Sequence, residues 1–167
     1  SDWSGGEASD HARPLAPRGR EAARCMGAYI AQQGYCPALI LSSDSRRTRE
    51  TVELLLPALP SAPKVQFEKS LYLADWPVLL EEVRLAPAKA TPLLLVGHNP
   101  GMQQFALALT LKHQSPLGRA RAEAIAKKYS TAALAVFDFA FRDWDEVRPG
   151  SGTLADYMRP RDLPDKG

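Results

Sequence analysis

The sequence predicts an α/β domain in which helices flank a mostly parallel central sheet as a three-layer sandwich. Short apolar runs bounded by turn residues, at 38–41 and 92–96, are typical of buried parallel strands. Segments with helical apolar periodicity alternate with these runs, which is the order that connects parallel strands through helices. The 167 residues suit one domain, and no linker or internal repeat divides them, so we expect a single domain over 1–167.

The first half of the chain opens with a polar loop and a helix. Pro17 is a favoured residue in a first helical turn, and Gly34 is a favoured helix stop. The polar run at 42–45 is rich in residues that cap helix N-termini, and Pro57 ends the helix that follows. In order, we predict a loop over 1–16, a helix over 17–33, a strand over 38–41, a helix from the capping run to about Leu56 and a strand over 65–71.

The second half continues the alternation. Asp75 is placed to cap a helix that has Pro77 in its first turn. The run at 92–96 is the clearest buried strand of the chain. In order, we predict a helix over 76–85, a strand over 92–96, helices over 102–111 and 119–128, a strand over 131–139, an antiparallel partner for it at 144–148, and a terminal turn and tail over 150–167.

Composition excludes several classes of protein. The chain has 21 Lys and Arg against 19 Asp and Glu, and the mixed signs argue against a nucleic-acid binder driven by phosphate neutralisation. No apolar run approaches the ~20 residues of a membrane span. Cys25 and Cys36 have no histidine at ligand spacing, so neither a zinc site nor a disulfide framework is implied. With no visible signal peptide, the expectation is a cytoplasmic protein without nucleic-acid or membrane partners.

Two strand exits carry the polar residues that point to chemistry, because ligands of open α/β sheets bind at the carboxyl ends of the strands. After the strand at 38–41, hydroxyls and arginines open a helix, and a helix N-terminus with an arginine fork suits an oxyanion such as phosphate. A solvated, capped helix start is the alternative. After the strand at 92–96 comes His98, whose imidazole can hold or transfer a proton near neutral pH. A histidine fixed in a turn is the alternative there.

The order of these motifs resembles the histidine phosphatase superfamily, in the small bacterial branch typified by phosphohistidine phosphatases. Residues 43–51 read Ser-Asp-Ser-Arg-Arg-Thr-Arg-Glu-Thr, close to the family's Ser-Pro-x-x-Arg-Ala-x-Gln/Glu-Thr, with Asp44 and Thr48 as departures. Residues 97–100 read Gly-His-Asn-Pro, as in the family. Weaker likenesses at 10–19, 71–74 and 130–135 extend the resemblance over nearly the whole chain.

The resemblance implies an activity and a set of site residues. It places the phosphate-binding arginine at Arg47 and the second pocket histidine at His98, with Ser43 and Asn99 as supporting phosphate-pocket residues. The implied reaction is phosphoryl hydrolysis through a phosphohistidine intermediate without metal or cofactor. The implied partner is a phosphorylated protein, above all protein phosphohistidine, or a small phosphorylated substrate. Glu68 and Asp75 are the candidates for a general acid.

One family motif has no counterpart within 1–167. The family's first strand ends in Arg-His-Gly or Arg-His-Ala, and that histidine is the nucleophile; the family spacing places this motif directly before Ser1. An alternative is therefore a non-catalytic phosphate-binding or interaction domain that has lost the nucleophile. A nucleotide-binding α/β module is a third reading, but the chain lacks both Gly-x-Gly-x-x-Gly and a P-loop.

Overall fold

The computed structural model of the protein describes residues 9–163. A helical turn at 9–11 interrupts the loop predicted for 1–16, and residues 1–8 of that prediction lie outside the described residues. The helices are α1 (Pro17–Gln32), α2 (Arg46–Leu55), α3 (Trp76–Arg84), α4 (Gly101–Leu109) and α5 (Pro116–Lys127). The strands are β1 (Leu39–Ser43), β2 (Lys64–Glu68), β3 (Leu93–Val96), β4 (Leu134–Asp138) and β5 (Thr153–Met158).

The chain divides into two compact units. The first contains the residues up to Tyr72 together with Pro92–Gly97, and the second contains Leu73–Thr91 together with the residues from His98 onward.

The first unit is built on a parallel sheet. Its strand order is β2-β1-β3, with β1 parallel to both neighbours, so the carboxyl ends of the three strands lie at one edge. All five residues of β1 are buried, as expected for a central strand. Helices α1 and α2 pack together closely, and a Cβ on Gly27 would lie 3.2 Å from the backbone of Leu55. The predicted α/β class, a parallel sheet flanked by helices, is confirmed.

The second unit combines helices with an antiparallel pair of strands. Strands β4 and β5 pair antiparallel with a bulge between Val136 and Phe137. Ala106 of α4, Ile125 of α5 and Leu154 of β5 form one buried cluster. Helix α3 packs on α4, and the indole nitrogen of Trp144 donates to the carbonyl of Ala90 at 3.0 Å.

The structure corrects the predicted partner of β4. Residues Trp144–Glu146 form a 3-10 turn, which begins with a capping box between Asp143 and Glu146, and not a strand. The partner is β5, in the segment predicted to be a tail. The prediction at 65–71 is also shortened, because Lys69–Leu71 forms a 3-10 turn after β2. Within 9–163, the helices are all too short or too polar to cross a membrane.

Candidate active site

The turn between β1 and α2 is fixed by buried hydroxyls. Ser45 is the N-cap of α2, and its side chain accepts from the backbone N–H of Thr48. The Thr48 hydroxyl donates to the carbonyl of Ser43 at 2.7 Å and lies 2.8 Å from the Ser45 hydroxyl. Ser43 and Ser45 are fully buried, and Thr48 is nearly so. The turn is therefore rigid, which fixes the direction in which the first residues of α2 leave the sheet edge.

Arg47, the predicted phosphate-binding arginine, extends from the first turn of α2 onto residue 10. Its Nη1 donates to the backbone carbonyl of Asp10 at 2.8 Å, and its Nη2 donates to the Asp10 carboxylate at 3.2 Å. The Arg47 side chain is only 17% exposed, so its guanidinium is held and partly desolvated. A guanidinium has five N–H donors, and Asp10 engages two of its nitrogens.

The Asp10 carboxylate is the centre of a charged cluster. The Tyr72 hydroxyl donates to it through a short hydrogen bond, and Arg13 lies 3.4 Å from its other oxygen. The hydrogen bond from Tyr72, with help from Arg47, lowers the pKa of Asp10 despite partial burial. The same hydrogen bond raises the pKa of Tyr72. At neutral pH the cluster therefore pairs a carboxylate with a neutral phenol and a guanidinium.

His11 and Asp44 form a second link between the same segments. His11 Nε2 lies 2.8 Å from the Asp44 carboxylate, and the His11 ring meets the Tyr72 ring edge-on at 4.8 Å between centroids. Asp44 stands where the family motif has proline. This departure therefore has a local partner, because the carboxylate helps to hold the turn at 9–11 against the start of α2.

Glu50 completes the attachment of the segment at 10–20 to α2. Its carboxylate accepts from the backbone N–H of Leu15 at 2.9 Å and from Arg20 at 3.1 Å. Arg46 also pairs with Glu50, at 3.7 Å. The two adjacent arginines of the motif thus have different surroundings, since Arg47 contacts Asp10 and Arg46 contacts Glu50.

The predicted pocket residues of the second unit lie in the loop that opens α4. His98 is half-buried, and its backbone carbonyl accepts from the N–H of Met102 at 2.9 Å. The Asn99 side chain donates to the carbonyl of Tyr129 at 2.8 Å and accepts from the N–H of Gln103 at 3.3 Å. These bonds fix the loop conformation, in which the Asn99–Pro100 peptide is cis.

Gly101 fixes the same loop against the chain before α3. A Cβ placed on it would lie 2.0 Å from the carbonyl oxygen of Ala74, so this position accepts no side chain without backbone movement.

The four predicted site residues fall into two groups. Ser43 and Arg47 belong to the first unit, while His98 and Asn99 open the continuous part of the second. His98 follows β3 by two residues. Of the general-acid candidates, Glu68 is paired in register with Ser43 at the carboxyl edge of the sheet and accepts from Gln66 at 2.6 Å. Asp75 occupies the N-cap position of α3, but its side chain does not make the predicted capping bond.

Sequence reasoning missed the partners of Arg47. Asp10 and Tyr72 were noticed only as parts of weak motifs, and nothing in their spacing shows that they meet. The available signal was the cluster of ionisable residues at 10–13, which lies in a segment without helical or strand periodicity.

Comparison with known proteins identifies the family of the chain. Residues 5–76 match the profile of the histidine phosphatase superfamily, branch 1. An uncharacterized protein of Mycobacterium tuberculosis is 33% identical over 153 residues, covering 92% of both chains. An uncharacterized protein of Mycobacterium leprae is 32% identical, covering 92% of this chain and 90% of the relative.

Solved structures give the same family. A Nakamurella multipartitia protein assigned as the phosphohistidine phosphatase SixA superimposes with a TM-score of 0.74 at 26% identity, over 90% of this chain and 87% of its own. An Agrobacterium tumefaciens protein with the same assignment gives 0.69 at 26% identity, over 90% and 86%. SixA complexed with tungstate shares the fold, with a TM-score of 0.72 at 20% identity over 93% and 89%.

The fold is that of an α/β protein with a parallel sheet, as in the solved structures that it resembles. The chain belongs to the histidine phosphatase superfamily and is SixA-like within it. These relationships support phosphatase activity in general.

Proposed function

We propose that the protein hydrolyses phosphoryl groups through a phosphohistidine intermediate and that protein phosphohistidine is its main substrate. The observation that carries the proposal is the guanidinium of Arg47, held by Asp10 beside the carboxyl edge of the parallel sheet. An ordered arginine at a helix start is the arrangement that binds phosphate oxygens.

Arg47 supplies binding and charge stabilisation. Its planar fork matches phosphoryl oxygens, and the Asp10 carboxylate and carbonyl orient that fork before the substrate arrives. Such preorganised donors act on the charge of the equatorial oxygens during phosphoryl transfer. Asp10 is therefore a positioning residue in this proposal.

The resemblance supplies the remaining steps. An imidazole nitrogen of the family's nucleophilic histidine forms an N–P bond while the bond from phosphorus to the leaving group breaks. Water then attacks phosphorus, the N–P bond breaks, and phosphate leaves with the imidazole restored. By the same resemblance, the protonated imidazole of His98 keeps its proton and donates a hydrogen bond to the phosphoryl oxygens, while Ser43 and Asn99 are supporting phosphate-pocket residues.

The choice of substrate rests on the leaving group. Glu68 already accepts a hydrogen bond from Gln66, and no family motif surrounds it or Asp75, so neither has the marks of a committed general acid. A phosphoramidate needs less help from an acid than an alkyl phosphate does. Small substrates with an activated phosphate remain the secondary choice, and the SixA assignments of the structural neighbours favour the protein substrate.

Oxyanion binding tests the role of Arg47. We expect Arg47→Ala to weaken tungstate binding by at least about tenfold, because a charge-assisted pair of hydrogen bonds is removed. Arg46→Ala is the matched control, since Arg46 is adjacent, equally charged and paired with Glu50. It should change the tungstate affinity less than about twofold. Calorimetric titration measures both, and equal losses in the two variants would remove Arg47 from the site.

Turnover tests the reaction. The product of the complete reading frame is incubated with a phosphohistidine protein and, separately, with a sugar phosphate. Release of phosphate from phosphohistidine, lost in Arg47→Ala and His98→Ala, is the expected result. Turnover of the sugar phosphate alone would overturn the substrate class. Tungstate binding without any turnover would favour a non-catalytic phosphate-binding domain.

A further inference from the structure

A cavity with a volume of about 480 Å³ lies in the second unit, beside the C-terminal end of α5. Four cationic residues line it, and we call it the basic groove: Lys127, Lys128, Arg159 and Arg161. Lys127 and Lys128 end α5, whereas Arg159 and Arg161 follow β5. Cations from two separate elements thus face one concavity.

The helix dipole does not account for this concentration of charge. Lysines at a helix end are commonly explained by the exposed terminal carbonyls. Here the carbonyl of Ile125 accepts from the Gln103 side chain at 2.8 Å, and the carbonyl of Lys128 accepts from the Tyr157 hydroxyl at 2.8 Å. Carbonyls at this end therefore have partners other than lysine, and the dipole offers no reason for arginines on another element.

The groove carries little compensating acid. Glu123 is the only acidic residue among the described residues that line it. Arg159 pairs with Asp162 through bonds of 2.6 and 3.2 Å, which orient its guanidinium. Lys127, Lys128 and Arg161 are exposed. The lining therefore has an excess of positive charge, in contrast to the nearly balanced charge of the whole chain.

The lining of the groove leaves room for a bound segment. Ala120 and Ala124 lie one helical turn apart and form part of its lining, so small side chains leave room along α5. Three of the four cations are exposed and come from two separate elements, which fits several acidic groups of one chain better than a single enclosed ion. A nucleic acid would need a longer basic stripe than four residues in a chain of net charge +2.

We propose that the basic groove docks an acidic segment of a partner protein, with Asp or Glu side chains pairing with the exposed cations Lys127, Lys128 and Arg161. Rim charges of this kind mainly guide encounter and select the partner. The proposal concerns binding alone and does not depend on phosphatase activity.

Fluorescence anisotropy with a labelled Glu-rich peptide tests the proposal at low and at physiological salt. The variant Lys127→Gln/Arg161→Gln removes one cation from each element. The matched control is Arg119→Gln/Arg121→Gln, which removes two cations from the same helix away from the groove lining. We expect at least about a fivefold loss of peptide affinity in the groove variant and less than about twofold in the control. Thermal unfolding by circular dichroism confirms that both variants fold.

Three results would overturn the proposal: no peptide binding at low salt, equal losses in the two variants, or a single-stranded oligonucleotide that displaces the peptide at an equal or lower concentration. Because the measurement needs no turnover, a protein that binds the peptide but lacks phosphatase activity would leave the groove assignment intact. A lack of peptide binding at the basic groove likewise leaves the proposed phosphatase reaction unaffected.

Discussion

Asp10 joins three other side chains around the start of α2. Its carboxylate is bound by Tyr72, Arg47 and Arg13, and its carbonyl by Arg47. A carboxylate stabilised in this way should make the folded state sensitive to acid.

Asp10→Asn tests that sensitivity. The pKa of Asp10 is lowered below its ordinary 3.8, chiefly by the Tyr72 hydrogen bond and then by Arg47, so the unfolded chain binds a proton more readily. The stabilisation is complete above pH 3.8 and is lost as the pH falls through the lowered pKa. We therefore expect the variant to be less stable than the wild type at neutral pH, with the difference shrinking toward pH ~3. Urea unfolding across this range measures it; a difference that does not depend on pH would contradict the assignment.

Local patterns predicted some site residues but not their partners. Arg47 and Ser43 follow directly from a strand exit with a capped helix. Asp10 and Tyr72 are 62 residues apart, and their contact depends on how the segment at 9–11 folds back on α2. Composition and periodicity carry no information about such long-range ion pairs.

At the scale of elements, the two serine caps give a matched comparison. Ser45 caps α2 and is fully buried with Thr48, whereas Ser115 caps α5 in an exposed position and accepts from Gly118 at 3.1 Å. Ser45→Ala should destabilise the protein by about 1–2 kcal/mol, and Ser115→Ala by about 0.5–1 kcal/mol. Urea denaturation compares them. If Ser115→Ala lowers the free energy of unfolding as much as Ser45→Ala does, the buried hydroxyl network of the β1–α2 turn adds no stability beyond that of an ordinary N-cap.

Most elements were predictable because Pro, Gly and capping residues mark their ends. Gly34, predicted to stop α1, has a φ of +75°, which glycine adopts without strain. Strand β5 was missed because its sequence, Thr-Leu-Ala-Asp-Tyr-Met, mixes polar and apolar residues, and a bulge interrupts its pairing. The 3-10 turn at Trp144–Glu146 was mistaken for a strand because it contains Trp144, and aromatic residues are enriched in strands.

At the scale of the whole molecule, the alkaline limit of stability should depend on one tyrosine of the second unit. Burial of its phenol, with Tyr157 beside it, raises the pKa of Tyr129 far above the ordinary 10. The folded state keeps that proton while the unfolded chain loses it, so stability falls as the pH rises above about 10.

Tyr129→Phe should flatten this alkaline loss, because the group that titrates on unfolding is removed. The hydroxyl bond given up is long, 3.4 Å to the carbonyl of Ala133, so the cost at neutral pH should be small. Urea midpoints at neutral and at alkaline pH measure the slope in both proteins. If the slope of stability against pH is unchanged in Tyr129→Phe, a group other than Tyr129 causes the alkaline loss of stability.

The overall class was the most predictable property, since alternating helices and apolar strands constrain the topology strongly. The division into two compact units was not predictable, because the chain passes between them at Tyr72, Thr91 and Gly97 without a linker composition. Whether 1–167 behaves as the predicted single domain stays a prediction.

The close approach of Gly101 to Ala74 restricts the mutations that this protein can accumulate. Every single-nucleotide missense change in a glycine codon introduces a Cβ, and here that atom would lie 2.0 Å from a carbonyl oxygen. A library of all substitutions at this codon, sorted for folded protein, should return glycine almost alone. The first residue of α4 therefore tolerates no single substitution, and sequence variation in this loop has to begin at the residues beside Gly101.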